Sequence, residues 1–355
     1  MMKLHPSVIL LLVCGGLLPA TRSGAAPAPQ TQTYRILQTV QYPGSGGIDY
    51  VFADSDARRI YVPRGGEILV FNLDSLAPVG SIPNTRARGA TVDPKSGHGF
   101  SSSSPVVMWD STTLATLKTI EVQGRPDGIL LEPATGRVFV FSHTAPNVTV
   151  IDAQTGTIVG TVDLGGAPEQ AAADGRGLLF VDLEDKDAVA VLDARSLQVL
   201  KEYDLQKKGG TPAGLALDPK NRRLFVLCRD PQTCVVLDAD TGRMVATLPI
   251  GRGTDGGVFN PQTMEVFSSQ GDGTLTVIHE NSPEDFVVTQ TVATKSRAKT
   301  CTLDLSTDRL VLITTEPMPG SQPAAAPANG GGAIPAPKKG NPTGPALLDL
   351  IVVGR

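Results

Sequence analysis

Between Asp127 and Val162, apolar positions fall into four short runs separated by turn residues. Gly128-Ile129-Leu130-Leu131 precedes Glu132-Pro133, and Arg137 opens Val138-Phe139-Val140-Phe141. Val148-Thr149-Val150-Ile151 ends in Asp152, and Thr155-Gly156 leads into Val159-Gly160-Thr161-Val162. Runs of this length, rich in β-branched and aromatic residues and bounded by Gly, Pro and Asp, predict four consecutive strands. The same succession returns from Ala213: Gly214-Leu215-Ala216-Leu217-Asp218-Pro219, then Arg223-Leu224-Phe225-Val226, then Val235-Val236-Leu237-Asp238 and Thr241-Gly242. The chain is therefore a repeat, and its unit is four strands.

Aligned on the residue before the first strand, the copies begin at Asp49, Arg88, Asp127, Glu169, Ala213, Asp255 and Lys299, spaced 39 to 44 residues apart. That period is the length of a four-stranded propeller blade. Of the 322 residues from Tyr34 to Arg355, 29 lie in the low-complexity stretch 317–345, and the other 293 hold seven copies of about 42. Six or eight do not fit. The last copy stops after its third strand, whereas Tyr34-Arg35-Ile36-Leu37-Gln38-Thr39-Val40 matches a fourth strand with no first three before it. The prediction is an all-β, seven-bladed propeller of four-stranded antiparallel blades over 34–355. Its N-terminal strand completes the last blade and removes two exposed sheet edges.

Composition agrees, since 38 Gly and 28 Pro with 19% charged residues exclude a helical bundle. Residues 1–25 have the pattern of a secretory signal peptide: Lys3, the apolar run from Val8 to Leu18, and small residues up to the expected cleavage near Ala25. Residues 26–33 then form a short linker. Cys14 faintly matches a lipoprotein site, but Val13 is bulky where a small residue is required, which favours ordinary cleavage. No later apolar run is long enough to span a bilayer. The expected product is an exported protein, periplasmic or at the cell surface, and monomeric. Processing removes Lys3 and Arg22 and no acid, moving the formal charge from −4 to −6. That balance excludes a general nucleic-acid binder.

Cys228 and Cys234 flank Arg229-Asp230-Pro231-Gln232-Thr233, and in an oxidising compartment this hairpin spacing admits a disulfide. Cys301 sits in an apolar strand as a small core residue. Asp or Asn recurs at the end of the third strand (Asn72, Asp110, Asp152, Asp193, Asp238), often with Ser or Thr three residues on. Such side chains bond nearby backbone N–H groups and fix the turn, so they read as architecture.

The stretches from Val138 to Asp152 with Thr155-Gly156, and from Leu224 to Asp238 with Thr241-Gly242, resemble the YVTN β-propeller repeat family, also called YncE-like. Trp109-Asp110 lacks the companion elements of WD40 repeats. The resemblance covers the mature chain and implies the propeller fold. It says little of function, because propellers host unrelated activities.

In a propeller, the connectors into the first strands and the loops between second and third strands share one face, around the mouth of the central channel. The connectors here carry Arg86, Arg88, Arg125, Lys207, Lys208, Arg252, Lys295, Arg297 and Lys299 against Asp49, Asp127, Glu169 and Asp255. A basic mouth of this kind would recognise an acidic protein, a glycan or a small anionic ligand. Some YncE-like propellers are associated with single-stranded DNA, but only Tyr42 and Tyr50 offer bases a stacking surface near this mouth. After processing the histidines are His98, His143 and His279, too few and too scattered for a metal, haem or triad site, and His143 reads as a loop residue. No cofactor, metal or catalytic residue is expected. The insertion 317–345, rich in Pro, Ala and Gly, falls between the second and third strands of blade 7 and is expected to be a disordered flap bringing Lys338 and Lys339 to the same face. The function expected is a non-catalytic binding or scaffold module. The alternative is a lactonase-like hydrolase, with Asp127, Glu169, Arg88 and Arg125 cast as its acids and bases.

Overall fold

The computed structural model describes Met1, residues 33–319 and residues 345–355. The segments expected to be signal peptide and linker, Cys14 included, lie outside the described residues except for Met1 and Thr33, as does most of the blade 7 insertion. Among the described residues there are 28 strands and no helix. They form seven four-stranded antiparallel sheets. Among the described residues no helix is long and apolar enough to cross a membrane.

Blades 1 to 6 occupy residues 52–83, 90–120, 126–162, 168–204, 212–249 and 254–293. Blade 7 joins Thr300–Asp304, Arg309–Pro317 and Pro345–Gly354 to the N-terminal strand Arg35–Ser45, which pairs antiparallel with Pro345–Gly354. The closing strand is longer than the run expected at 34–40, and Pro317 and Pro345 belong to strands rather than to the insertion.

The middle strands are buried almost throughout, as in Arg137–Ser142, because each sheet is covered on both faces by its neighbours. Period-two alternation divides that strand between two interfaces. Val138 and Val140 join Phe100, Val106 and Met108 of blade 2, whereas Phe139 and Phe141 join Leu179 and Val181 of blade 4. Seven apolar clusters result, one at each junction between neighbouring blades, so the ring closes through side chains as well as through the shared sheet. Burying a Phe or Val in such a cluster contributes about 1.5–3 kcal/mol. The outer strands face solvent, as Thr116–Ile120 does for four of its five residues.

The recurrent strand-ending acids are turn formers. Asp152 Oδ1 accepts both the N–H and the hydroxyl of Thr155 at 2.8 Å, and Asp238 and Asn72 repeat the arrangement. The next residue is left-handed: Gly156 and Gly242 in two blades, but Leu76, Leu114 and Leu197 in three others. Burial of Leu76 in the junction with blade 7 offsets the cost of its backbone conformation, and this explains why the Thr-Gly signature fades there.

The expected Cys228–Cys234 disulfide is absent: both are buried free thiols. Register gives the reason, since Leu227 pairs with Cys234 and Cys228 with Thr233, which puts the sulfurs on opposite faces of the sheet. Cys228 joins the cluster between blades 4 and 5, and Cys234 the one between blades 5 and 6. Burial pushes the Cys228 thiol up to about 12 and that of Cys234 well above the usual range. Thiol titration of the denatured chain should give the same count with and without prior reduction; a lower count without reduction would contradict this placement.

Candidate functional site

Each inner strand runs from the mouth toward the opposite face, and the aligned positions stand at its mouth end: Asp127, Glu169, Ala213 and Asp255 are the second residues of their strands rather than the residues before them, whereas Asp49, Arg88 and Lys299 precede theirs. Gly128 shows how tightly these strands approach, because a Cβ there would lie 2.8 Å from the Glu169 carbonyl oxygen of the next blade. Six of the seven rim positions carry charge: Asp49, Arg88, Asp127, Glu169, Asp255 and Lys299. The structure brings all six into one network.

Arg88 donates to Asp49 at 2.7 Å and reaches Asp127 at 3.4 Å. His143 Nε2 lies 3.0 Å from both Asp127 Oδ2 and Glu169 Oε2. Arg229 pairs with Glu169 at 2.8 Å, with Glu184 at 3.0 Å and with Asp255. Lys299 pairs with Asp255 and lies 3.5 Å from Asp49, which closes the circuit. The order around the mouth is Asp49, Arg88, Asp127, His143, Glu169, Arg229, Asp255, Lys299, with acid and base alternating throughout.

Parity accounts for the two members that come from elsewhere. Seven positions cannot alternate in sign around a closed ring, and the conflict falls where Asp127 of blade 3 meets Glu169 of blade 4. His143, from the loop between the second and third strands of blade 3, enters between them. Blade 5 has uncharged Ala213 at its rim position, and Arg229, from the corresponding loop of blade 5, supplies the missing cation. Hydrogen bonds to Asp127 and Glu169 raise the His143 imidazole to about 10 against the effect of burial. Burial acts to raise Glu169, but hydrogen bonds from His143 and Arg229 outweigh it and hold the carboxyl at about 2.

Two side chains cross the channel beside the ring. The Tyr50 hydroxyl of blade 1 donates to the Glu169 carbonyl of blade 4 at 3.0 Å. Its phenol is pushed well above the usual range by burial and by nearby Glu169, Asp127 and Asp49. Gln170 Oε1 accepts from the backbone N–H of Leu215 and of Gly257, joining blade 4 to blades 5 and 6. Asp182 is fully buried, accepts the Gln170 N–H at 2.6 Å, and is held well above the usual carboxylate range by burial.

The simple excess of base expected from the connectors becomes a paired circuit. Arg86, Arg125 and Arg297 are exposed, as are Lys207, Lys208 and Arg252. Lys295 instead bridges Glu316 and Asp349 within blade 7. Acids of the second-to-third-strand loops add to the same face and cap backbone N–H groups: Asp185 accepts from Ala167, Asp187 from Thr211 and Asp272 from Arg252. Tyr42 is not at the mouth; its ring lies 4.8 Å from that of Phe71, within the junction between blades 7 and 1. Sequence reasoning missed Arg229 and left His143 as a plain loop residue. The available signals were the uncharged Ala213 in the rim column and the like charges of Asp127 and Glu169 in adjacent copies.

A separate acid pair lies near the other end of blades 5 and 6. Glu280 is buried beside Asp218 and accepts from Asn221 at 2.8 Å. Burial, with the Asp218 charge, lifts Glu280 to about 7 despite that hydrogen bond and nearby Arg223. The folded chain thus binds a proton that the unfolded chain has released above its ordinary value near 4.5. Stability is greatest below that value and falls as pH rises to about 7, by on the order of 3 kcal/mol in all. Glu280→Gln should remove this fall and be more stable than the parent at pH 8 in urea unfolding; equal pH profiles for the two would contradict it.

Fold and site together define a seven-bladed β-propeller whose channel mouth is ringed by alternating charges. Among solved structures, the chain is similar to one described as the crystal structure of a mitotic checkpoint complex. The TM-score is 0.69 at 16% identity, over 85% of this chain and 96% of that one. No protein-family model and no curated protein matches the chain.

Proposed function

We propose that the chain is an exported, YVTN-type propeller that acts as a non-catalytic binding or scaffold module, using its mouth face to recognise an acidic ligand or partner in the cell envelope. The N-terminal pattern of residues 1–25 supports export, and the repeat signature supports the family. The observation that carries the binding reading is the division of labour among the mouth charges. The rim acids are held by ring cations, and the loop acids lie against backbone N–H groups. Around them Arg86, Arg125, Lys207, Lys208 and Arg252 remain exposed, long cationic side chains available to carboxylate, sulfate or phosphate groups of a partner. Propellers often serve as protein-interaction scaffolds, and the similar structure is described as a complex.

Engagement of Asp127 and Glu169 by two cations each turns the reading away from a lactonase-like hydrolase, whose acids must be free to meet substrate. Tyr50 is committed to the Glu169 carbonyl and Tyr42 to an interior junction, which weakens the case for stacking single-stranded nucleic acid. The test is affinity capture from envelope extract with the parent protein and with a variant neutralised at Arg86, Arg125, Lys207, Lys208 and Arg252, at low and moderate salt. A partner or glycan held by the parent, weakened by salt and lost from the variant, is expected. Equal retention by both would overturn the reading.

A further inference from the structure

One segment of the ring converges on a single atom, as ligands around a metal ion do. Asp127 Oδ2 and Glu169 Oε2 each stand 3.0 Å from the same nitrogen, His143 Nε2, and each of the three residues offers a ligand atom within 4.8 Å of those of the other two. A single N–H points in one direction and cannot serve two carboxylates at full strength. Three ligands converging on one ion meet no such conflict, since neighbouring ligands at about 2.1 Å from a six-coordinate metal stand about 3.0 Å apart.

Two further observations point to a missing cation. Asp127 is nine-tenths buried, yet its Oδ1 has no hydrogen-bond donor and only the Arg88 Nε at 3.4 Å nearby. The local charge is also short of positive. The five carboxylates Asp49, Asp127, Glu169, Glu184 and Asp255 face four cationic groups, Arg88, His143, Arg229 and Lys299, leaving one negative charge unmatched. A dication in place of the His143 proton meets that deficit.

We propose that Asp127 Oδ2, His143 Nε2 and Glu169 Oε2 form a binding site for a divalent transition-metal ion at the channel mouth. Binding releases the His143 Nε2 proton to solvent and places the ion between the three ligands. Arg229 holds the far oxygen of Glu169 at 2.8 Å, as groups behind metal ligands commonly do, while Arg88 Nε stands 3.4 Å from that of Asp127. One imidazole among carboxylates favours zinc or manganese over magnesium. His143 is 25% exposed, so the ion enters from the mouth. The remaining coordination positions are left for water or for an anionic group of a ligand.

The test uses the metal alone and so stands apart from the docking reading. The full chain, stripped by chelator, is dialysed against zinc, manganese or magnesium chloride. One zinc or manganese ion per chain at micromolar or lower free metal is expected, with magnesium much weaker and affinity reduced at least about 100-fold in His143→Gln. In the unsubstituted protein loaded with manganese, electron spin-echo spectroscopy should show coupling to a directly bonded imidazole nitrogen, a readout that needs no variant. Failure to bind one ion per chain, no nitrogen coupling, or equal affinity in His143→Gln would each overturn the proposal.

Discussion

Arg229→Met should lower the stability of the folded chain by about 3–5 kcal/mol at neutral pH, the usual cost of removing one partner from a buried ion pair. Its guanidinium serves Glu169, Glu184 and Asp255, two of them buried and contributed by different blades. Methionine keeps much of the side-chain volume and removes the charge, so cavity formation contributes little and three carboxylates are left facing one another. Adding Asp255→Asn to the variant should recover part of the loss, because it removes one uncompensated charge. Urea unfolding of parent, single and double variants measures both effects; a single-variant loss below about 1 kcal/mol would place Arg229 among ordinary surface ion pairs.

His143→Gln should cost a similar amount, about 3–5 kcal/mol, for a different reason. Glutamine donates hydrogen bonds but carries no charge, so Asp127 and Glu169 confront each other as like charges in a buried setting. The damage should shrink as pH falls far enough to protonate one of them, giving a variant whose stability relative to the parent improves toward acid. Unfolding curves across pH check this, and a pH-independent difference would show that the side chain acts through shape rather than charge.

The fold could be read because its repeat length and its middle-strand apolar runs follow from one requirement, that every sheet be covered on both faces. Val138 to Phe141 and Leu224 to Val226 are apolar without a break for that reason. The rim column could be read as well, since Asp49, Arg88, Asp127, Glu169, Asp255 and Lys299 recur at the repeat period, at or just ahead of the mouth end of a first strand. Arg229 and His143 were less visible because they lie in loops of varying length, where no alignment column exists and the partner belongs to the neighbouring blade. The same blind spot made the mouth look more basic than it is, since Glu184, Asp185, Asp187 and Asp272 also lie in those loops. The disulfide expectation failed on register, which spacing alone does not reveal: one residue's offset moves a side chain to the opposite face.

The parity argument makes His143 the element that lets an odd-numbered ring alternate, and a double-mutant cycle tests this most directly. Stabilities of the parent, His143→Gln, Asp127→Asn and the double variant would be measured by urea unfolding at pH 7.5. Once Asp127 is neutral the like-charge conflict is gone, so His143→Gln should then cost little, with a coupling energy of about 2 kcal/mol or more. Additivity of the two substitutions within about 0.5 kcal/mol would mean that the ring is a set of independent contacts, and would contradict the account.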